Sequence, residues 1–211
     1  MPSRNIIREF APQQYYHVYN RGVEKRLVFL DDQDYVVFLG LFKKYLSGEK
    51  PEIEGQNRHK VSQIGDEVQL LAYCLMPNHF HLLFYQTSSE GITKLMQRIV
   101  TGYVMYFNHR HKRIGGLFQG RYKASSITAD AYLQHISRYI HMNPAHFEDW
   151  PYSSLPYYLA QKQATWLKPG QIMGLFNNNP TEYLEFLRDY VESKQELKEL
   201  KWQLANDPED V

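Results

Sequence analysis

Two apolar runs, Val68 to Met76 and His79 to Gln86, stand with only Pro77 and Asn78 between them. Proline presets the backbone for the first corner of a tight turn and asparagine tolerates the second, so the stretch reads as two antiparallel strands joined by a turn. Within the second strand His79 and His81 are two residues apart and leave the same face, while Phe80, Leu82 and Phe84 leave the other. Such a strand has to lie between an apolar core and a polar surface. Two imidazoles on that surface can converge on one metal ion or one phosphate. The plainer alternative, two imidazoles satisfied by ordinary hydrogen bonds, is not excluded by a His-x-His spacing alone.

Periodicity and punctuation organise the rest of the chain. Gln14 to Asn20 is a Tyr- and Val-rich strand closed by Arg21-Gly22. Asp31 or Asp32 caps a helix whose Tyr35, Phe38, Leu39, Phe42, Tyr45 and Leu46 recur at helical spacing until Gly48. A polar excursion with Pro51, Gly55 and Gly65 follows over 47–67. Glu90 to Asn108 is a second helix, Leu117 to Thr128 a fourth strand carrying Arg121 and Lys123, and a further helix runs from about Asp130 to Asn143, where Pro144 disfavours its continuation. The order β-α-β-β-α-β, then a helix, predicts an α+β, ferredoxin-like (RRM-like) domain. Two helices should cover one face of a four-stranded antiparallel sheet, leaving the other face free for a site. This domain is expected over residues 1–149. Residues 150–211 form an extension: an aromatic loop (Trp150, Tyr152, Tyr157, Tyr158), a Pro169-Gly170 turn, a short Ile172 to Phe176 element, and a helix capped by Thr181. Tyr183, Phe186, Leu187, Tyr190 and Val191 form the stripe of that helix and should dock it on the domain.

With 43% hydrophobic and 22% charged residues, the 211-residue chain can bury a core without disulfides. Its single cysteine, Cys74, lies inside an apolar run, which suits a reduced core residue of a cytoplasmic protein and excludes a cysteine-built metal site. No run approaches the roughly 20 apolar residues of a membrane span. The net charge of +1 conceals an asymmetry. Between Gly91 and Ala129 stand Lys94, Arg98, Arg110, Lys112, Arg113, Arg121 and Lys123 without one Asp or Glu, whereas the end of the chain from Thr181 is acidic. A polyanion is the expected partner of the basic centre.

On the helix of 130–143, Leu133, Ile136 and Ile140 form a core stripe, and Tyr139 and Asn143 stack four residues apart on another face. A phenol with a pKa near 10 is a weak nucleophile. It needs a cation beside it or an electrophile already activated, such as a phosphate on a divalent metal. Otherwise Tyr139 is one rim tyrosine among the 17 in the chain.

Together, His79-Phe80-His81 within MPNHFHLL and Tyr139 within RYIHMNP resemble the single-tyrosine HUH transposases, and within them the REP-associated tyrosine transposases and the transposases of IS200-type elements. The resemblance runs from about Tyr15, through YHVYNRG, GLFQGRYKAS and WPYSSLPYY, to about Tyr158. It implies that His79 and His81 bind a divalent ion, Mg or Mn, and that Asn143 takes the place of a polar ligand four residues after the nucleophile. It also implies that Tyr139 attacks a phosphodiester of single-stranded DNA, forming a 5′-phosphotyrosine link and freeing a 3′ hydroxyl. The partner implied is DNA folded as an imperfect hairpin, met by a monomer or homodimer that is cytoplasmic and nucleoid-associated when DNA-bound. Arg21, Lys94, Arg98, Arg110, Lys112, Arg113, Arg121 and Lys123 are the expected DNA-binding bases, with Arg21 and Arg121 foremost. Three other readings compete. A histidine-triad hydrolase needs a third histidine where Leu83 stands. An RRM-like binder needs aromatic residues where the chain has two histidines. A domesticated, non-catalytic single-strand binder would keep the same residues.

Overall fold

The computed structural model describes residues 10–47, 64–128 and 130–189. Four strands, β1 (Gln14–Arg21), β2 (Val68–Met76), β3 (His79–Gln86) and β4 (Lys123–Ile127), form one antiparallel sheet in the order β2-β3-β1-β4. That is the ferredoxin-like order predicted from the element sequence. β2 and β3 have the expected bounds and turn on Pro77-Asn78, while β4 is shorter than expected because Leu117 to Tyr122 runs as irregular chain through Gly120 at φ 116°. A left-handed backbone of that kind ends the ladder and suits glycine.

The sheet is covered on both faces. Helices α1 (Asp32–Leu46) and α2 (Gly91–Arg110) pack Phe38, Phe42, Leu95, Ile99 and Tyr103 onto Val18, Phe80, Leu82 and Phe84. Asp31 caps α1, its carboxylate accepting from the Asp34 N–H at 3.3 Å. The opposite face is not free, contrary to the expectation. Helix α3 (Asp130–His141) lays Leu133, Ile136 and Ile140 on Ala72, Cys74, Leu83 and Ile127. The extension adds α4 (Leu155–Tyr158), α5 (Gly170–Met173) and α6 (Pro180–Arg188), which bury Ile172, Tyr183 and Leu187 in the same layer. The reason is compositional: β2 alternates apolar with apolar, Leu71, Ala72 and Cys74 opposing Leu70, Tyr73 and Leu75, so both of its faces must be buried.

The aromatic segment predicted as a loop contains the short helix α4 and also guards the sheet edge. The Leu75 N–H donates to Tyr152 O, the Ser154 N–H to Tyr73 O and the Lys168 N–H to Leu70 O, so the outer edge of β2 is paired rather than open. Trp150 Nε1 and the Tyr158 hydroxyl donate to Leu75 O and Leu71 O. Asn179, not Thr181, caps α6, accepting from the Thr181 N–H at 3.0 Å with Pro180 in the first turn. Residues 48–63 of the polar excursion, and residues 190–211 with Tyr190 and Val191, lie outside the described residues. Among the described residues no helix is long and apolar enough to cross a membrane.

A buried chain of hydrogen bonds ties α3 to the extension. His141 Nε2 lies 2.6 Å from Ser154 Oγ and its Nδ1 2.7 Å from the Tyr183 hydroxyl, which reaches Ser137 Oγ at 3.1 Å. Ser154 Oγ also accepts from the Tyr73 N–H at 2.8 Å. Burial holds His141 neutral, with its pKa down to about 3. Ser154→Ala leaves an imidazole nitrogen and a backbone N–H unpaired in a dry layer, and should cost about 1–3 kcal/mol of unfolding free energy in urea titrations.

Candidate active site

The β1–β3 register decides what faces what. Arg21 stands opposite His79, Tyr19 opposite His81 and His17 opposite Leu83, so β1 contributes His17, Tyr19 and Arg21 to the face that carries the two histidines of β3. His17 Nε2 and His81 Nδ1 are 2.9 Å apart. Both rings are nearly inaccessible to solvent. His79 is half-buried and is held at both ends, with Nδ1 2.6 Å from Asn78 Oδ1 and Nε2 3.1 Å from Asn143 Oδ1. The Asn78 amide is oriented by its own nitrogen, which donates to Lys25 O at 3.3 Å. Asn78 Oδ1 and Asn143 Oδ1 can both only accept, so the single proton of a neutral His79 serves one of them and leaves the other facing a lone pair. With the proton on Nδ1, at the shorter contact, Nε2 presents a lone pair beside the Asn143 carbonyl oxygen.

Burial keeps the His17 and His79 imidazoles neutral. It lowers the His17 pKa to about 3 and that of His79 to about 4. At His79 the nearby Arg21 charge lowers it further, whereas the Asn143 oxygen, which favours a positive charge, pulls the other way.

Tyr139 is half-buried on α3 and comes edge-on to two histidines of its own chain, its ring centre 5.1 Å from His81 and 5.9 Å from His17. Asn143 lies just past the last helical residue, its N–H still reaching Ile140 O at 3.4 Å. The four predicted site residues His79, His81, Tyr139 and Asn143 therefore meet at one place. Among the described residues no group of three or more His, Cys, Asp or Glu side chains is arranged to hold a metal ion. The donor set here is two imidazoles and an amide oxygen.

His17 and Asn78 were not singled out from the sequence. A signal for His17 existed: the predicted strand order sets β1 beside β3, and His17 shares a strand face with Tyr15, Tyr19 and Arg21.

The bases divide. Arg21 ends β1 beside His79, and Arg121 and Lys123 follow closely, since the Gln119 N–H donates to Arg21 O and Gly120 O accepts from the Asn20 amide. Lys112 and Arg113 lie in the turn after α2. Lys94, Arg98 and Arg110 belong to α2, on the face of the sheet away from the histidines. Lys94 pairs with Glu67 at 2.9 Å and Glu90 at 3.2 Å. Arg110 forks onto Asp31 at 2.7 and 2.8 Å and reaches the buried Asp34. Arg98 lies over the Tyr45 ring. The acids that balance the basic segment come from elsewhere in the chain, which the local count of charges did not register.

A ferredoxin-like sheet with paired strand histidines and a helix-borne tyrosine in edge contact with them is the arrangement that the resemblance to the single-tyrosine HUH transposases implies. Residues 42–143, a span that includes all four site residues, match the family of IS200-like transposases. Among solved structures, a REP-associated tyrosine transposase bound to a REP hairpin is similar in fold: TM-score 0.54 at 16% identity, over 74% of this chain and 84% of that one. No curated protein matches the chain.

The buried neutral histidines carry a pH signature. Unfolded, each titrates near 6.5. Folded, His17 and His141 titrate at about 3 and His79 at about 4, so below pH 6.5 the unfolded chain takes up protons that the native one refuses. Their stabilising contribution is complete above 6.5 and is lost as pH falls towards 4 and 3, by up to about 1.4 kcal/mol per histidine per pH unit. Urea midpoints should drop clearly between pH 7.5 and pH 5; a flat profile over that range contradicts the assignment.

Proposed function

We propose that this protein is an IS200-like transposase, a Mg- or Mn-dependent endonuclease and strand transferase for single-stranded DNA that acts on a hairpin-forming palindrome. The observation that carries the proposal is the meeting of His79 Nε2 and Asn143 Oδ1, 3.1 Å apart, with His81 and the Tyr139 ring beside them. Lone pairs facing one another are unfavourable unless a cation lies near both, and neutral imidazole with amide oxygen is a donor set that suits Mn or, completed by phosphate oxygens and water, Mg. The residues thus fit a divalent ion, which His79, His81 and Asn143 would hold. Bound there, the ion supplies charge neutralisation at a phosphate oxygen and polarises phosphorus.

The chain's own residues do the rest. α3, locked by its core stripe and the His141 chain, sets the Tyr139 phenol towards the histidine face. The Tyr139 oxygen attacks phosphorus, the bond to the 3′ oxygen breaks, and that oxygen leaves as a 3′ hydroxyl, taking up a proton. The product is a 5′-phosphotyrosine. A second 3′ hydroxyl attacking this ester reverses the step and joins the strands, so no nucleotide cofactor is needed. Arg21, Arg121 and Lys123 line the end of the sheet beside His79 and are suited to steady the flanking phosphates. The hairpin partner is taken from the solved relative, whose structure holds a REP hairpin.

The test mixes protein, Mn or Mg and labelled single-stranded hairpin DNA and looks for a denaturation-resistant protein–DNA adduct. Tyr139→Phe should abolish the adduct and leave hairpin affinity within about threefold; His79→Ala should suppress metal-dependent cleavage while sparing binding in chelator. Arg121→Gln and Lys123→Gln should each weaken binding and reduce the salt slope by about 0.7, while Arg110→Gln leaves the slope unchanged and lowers stability. Hairpin binding without any adduct, with either metal, defeats the catalytic reading in favour of a binding protein.

A further inference from the structure

Every nitrogen of the paired β3 histidines matters if they hold a cation, because a neutral imidazole offers one lone pair and carries one proton. For His79 the partners are the acceptor-only oxygens of Asn78, nearer at Nδ1, and of Asn143 at Nε2. For His81 the group at hydrogen-bond distance from Nδ1 is His17 Nε2, at 2.9 Å, on the neighbouring strand. Their planes are 12° apart and their centres 5.1 Å apart, so the rings lie edge to edge and a proton between them points along the accepting lone pair. The same His17 ring meets the Tyr139 ring at 89°.

Two observations separate His17 from an ordinary core residue. It is 1% exposed, and its other nitrogen, Nδ1, is buried with no hydrogen-bond partner. A buried polar atom left unpaired is a cost that an apolar side chain of similar volume would avoid. The ring is therefore not kept to satisfy both of its own nitrogens; the hydrogen bond it does make is the one to His81.

Resting on the reading that His79 and His81 hold a divalent ion, we infer that His17 is a positioning residue: its Nε2 accepts the Nδ1 proton of His81, so that His81 Nε2 carries no proton and can offer its lone pair to the cation. The reverse arrangement, with His17 donating, would put the His81 proton on Nε2 and block it. His17 thus plays for His81 the part that Asn78 plays for His79, one acceptor from the adjacent strand and one from the preceding turn. Outer partners that fix a ligand's tautomer in this way commonly govern metal affinity by about 10- to 100-fold.

The full chain tests this with Mn titrations followed by electron paramagnetic resonance. His17→Phe keeps the ring volume and removes the acceptor, so Mn affinity should fall about 10- to 100-fold. His17→Gln, whose amide oxygen restores an acceptor near the position of Nε2, should recover most of it. In metal-free wild-type protein, nitrogen-15 spectra of labelled histidines should show His81 protonated at Nδ1 and bare at Nε2; this readout stands even if His17→Phe fails to fold. Wild-type protein that takes up no Mn overturns the underlying cation reading. Wild-type binding with His17→Phe unchanged, His17→Gln as weak as His17→Phe, or a His81 proton on Nε2 in the wild type, overturns the role of His17.

Discussion

The pairing of β1 with β3 is the constraint on which the site depends. A strand's side chains alternate with period two, so slipping this ladder by one residue would move His17, Tyr19 and Arg21 to the opposite face. What prevents the slip is the apolar side of the same strands. Val18 faces Leu82 and Tyr16 faces Phe84 across the ladder, beneath α1 and α2, and each large side chain removed from water contributes about 1.5–3 kcal/mol. The histidines are held in register by side chains on the opposite face of the sheet.

The helix bearing Tyr139 is gripped from two sides. Ile136 and Ile140 press it onto the sheet, and His141, one residue further, is bound by Ser154 and Tyr183 of the extension. Tyr139 and Asn143 lie two residues to either side of His141, so the rotation of α3 that aims them is set by the C-terminal layer as much as by the sheet. Arg138, buried with its guanidinium 4.0 Å from the centre of the Phe186 ring, adds a second tie between the same two parts.

Much of this was legible in the sequence because it rests on short-range rules. The turn at Pro77-Asn78, the alternation of His79-Phe80-His81 and the i, i+4 relation of Tyr139 and Asn143 are local, and the element order implied the strand order. What escaped depended on distance along the chain. The pairing of His17 with His81 needs a register across 64 residues. The cover over the second face was signalled by the unbroken apolar character of β2, yet which segment supplies it follows only from packing. The ion pairs of Arg110 with Asp31 and Asp34 cross more than 70 positions, so a local tally of bases overstated the charge that α2 offers to a partner.

These ion pairs and the low histidine pKa values describe one division of labour. On the α2 face, fixed charges are spent inside the fold, Arg110 against two carboxylates and Lys94 against two more. On the site face, burial removes charge from the imidazoles and turns them into lone-pair donors at neutral pH. A protonated His79 would repel both Arg21 and any metal ion, whereas a neutral one tolerates the first and attracts the second. On the proposed reading, positive charge beside a phosphate at this place falls to Arg21, Arg121 and Lys123, and the imidazoles are left to serve as ligands. Desolvation, which is costly for an ion, is here what makes the histidines usable.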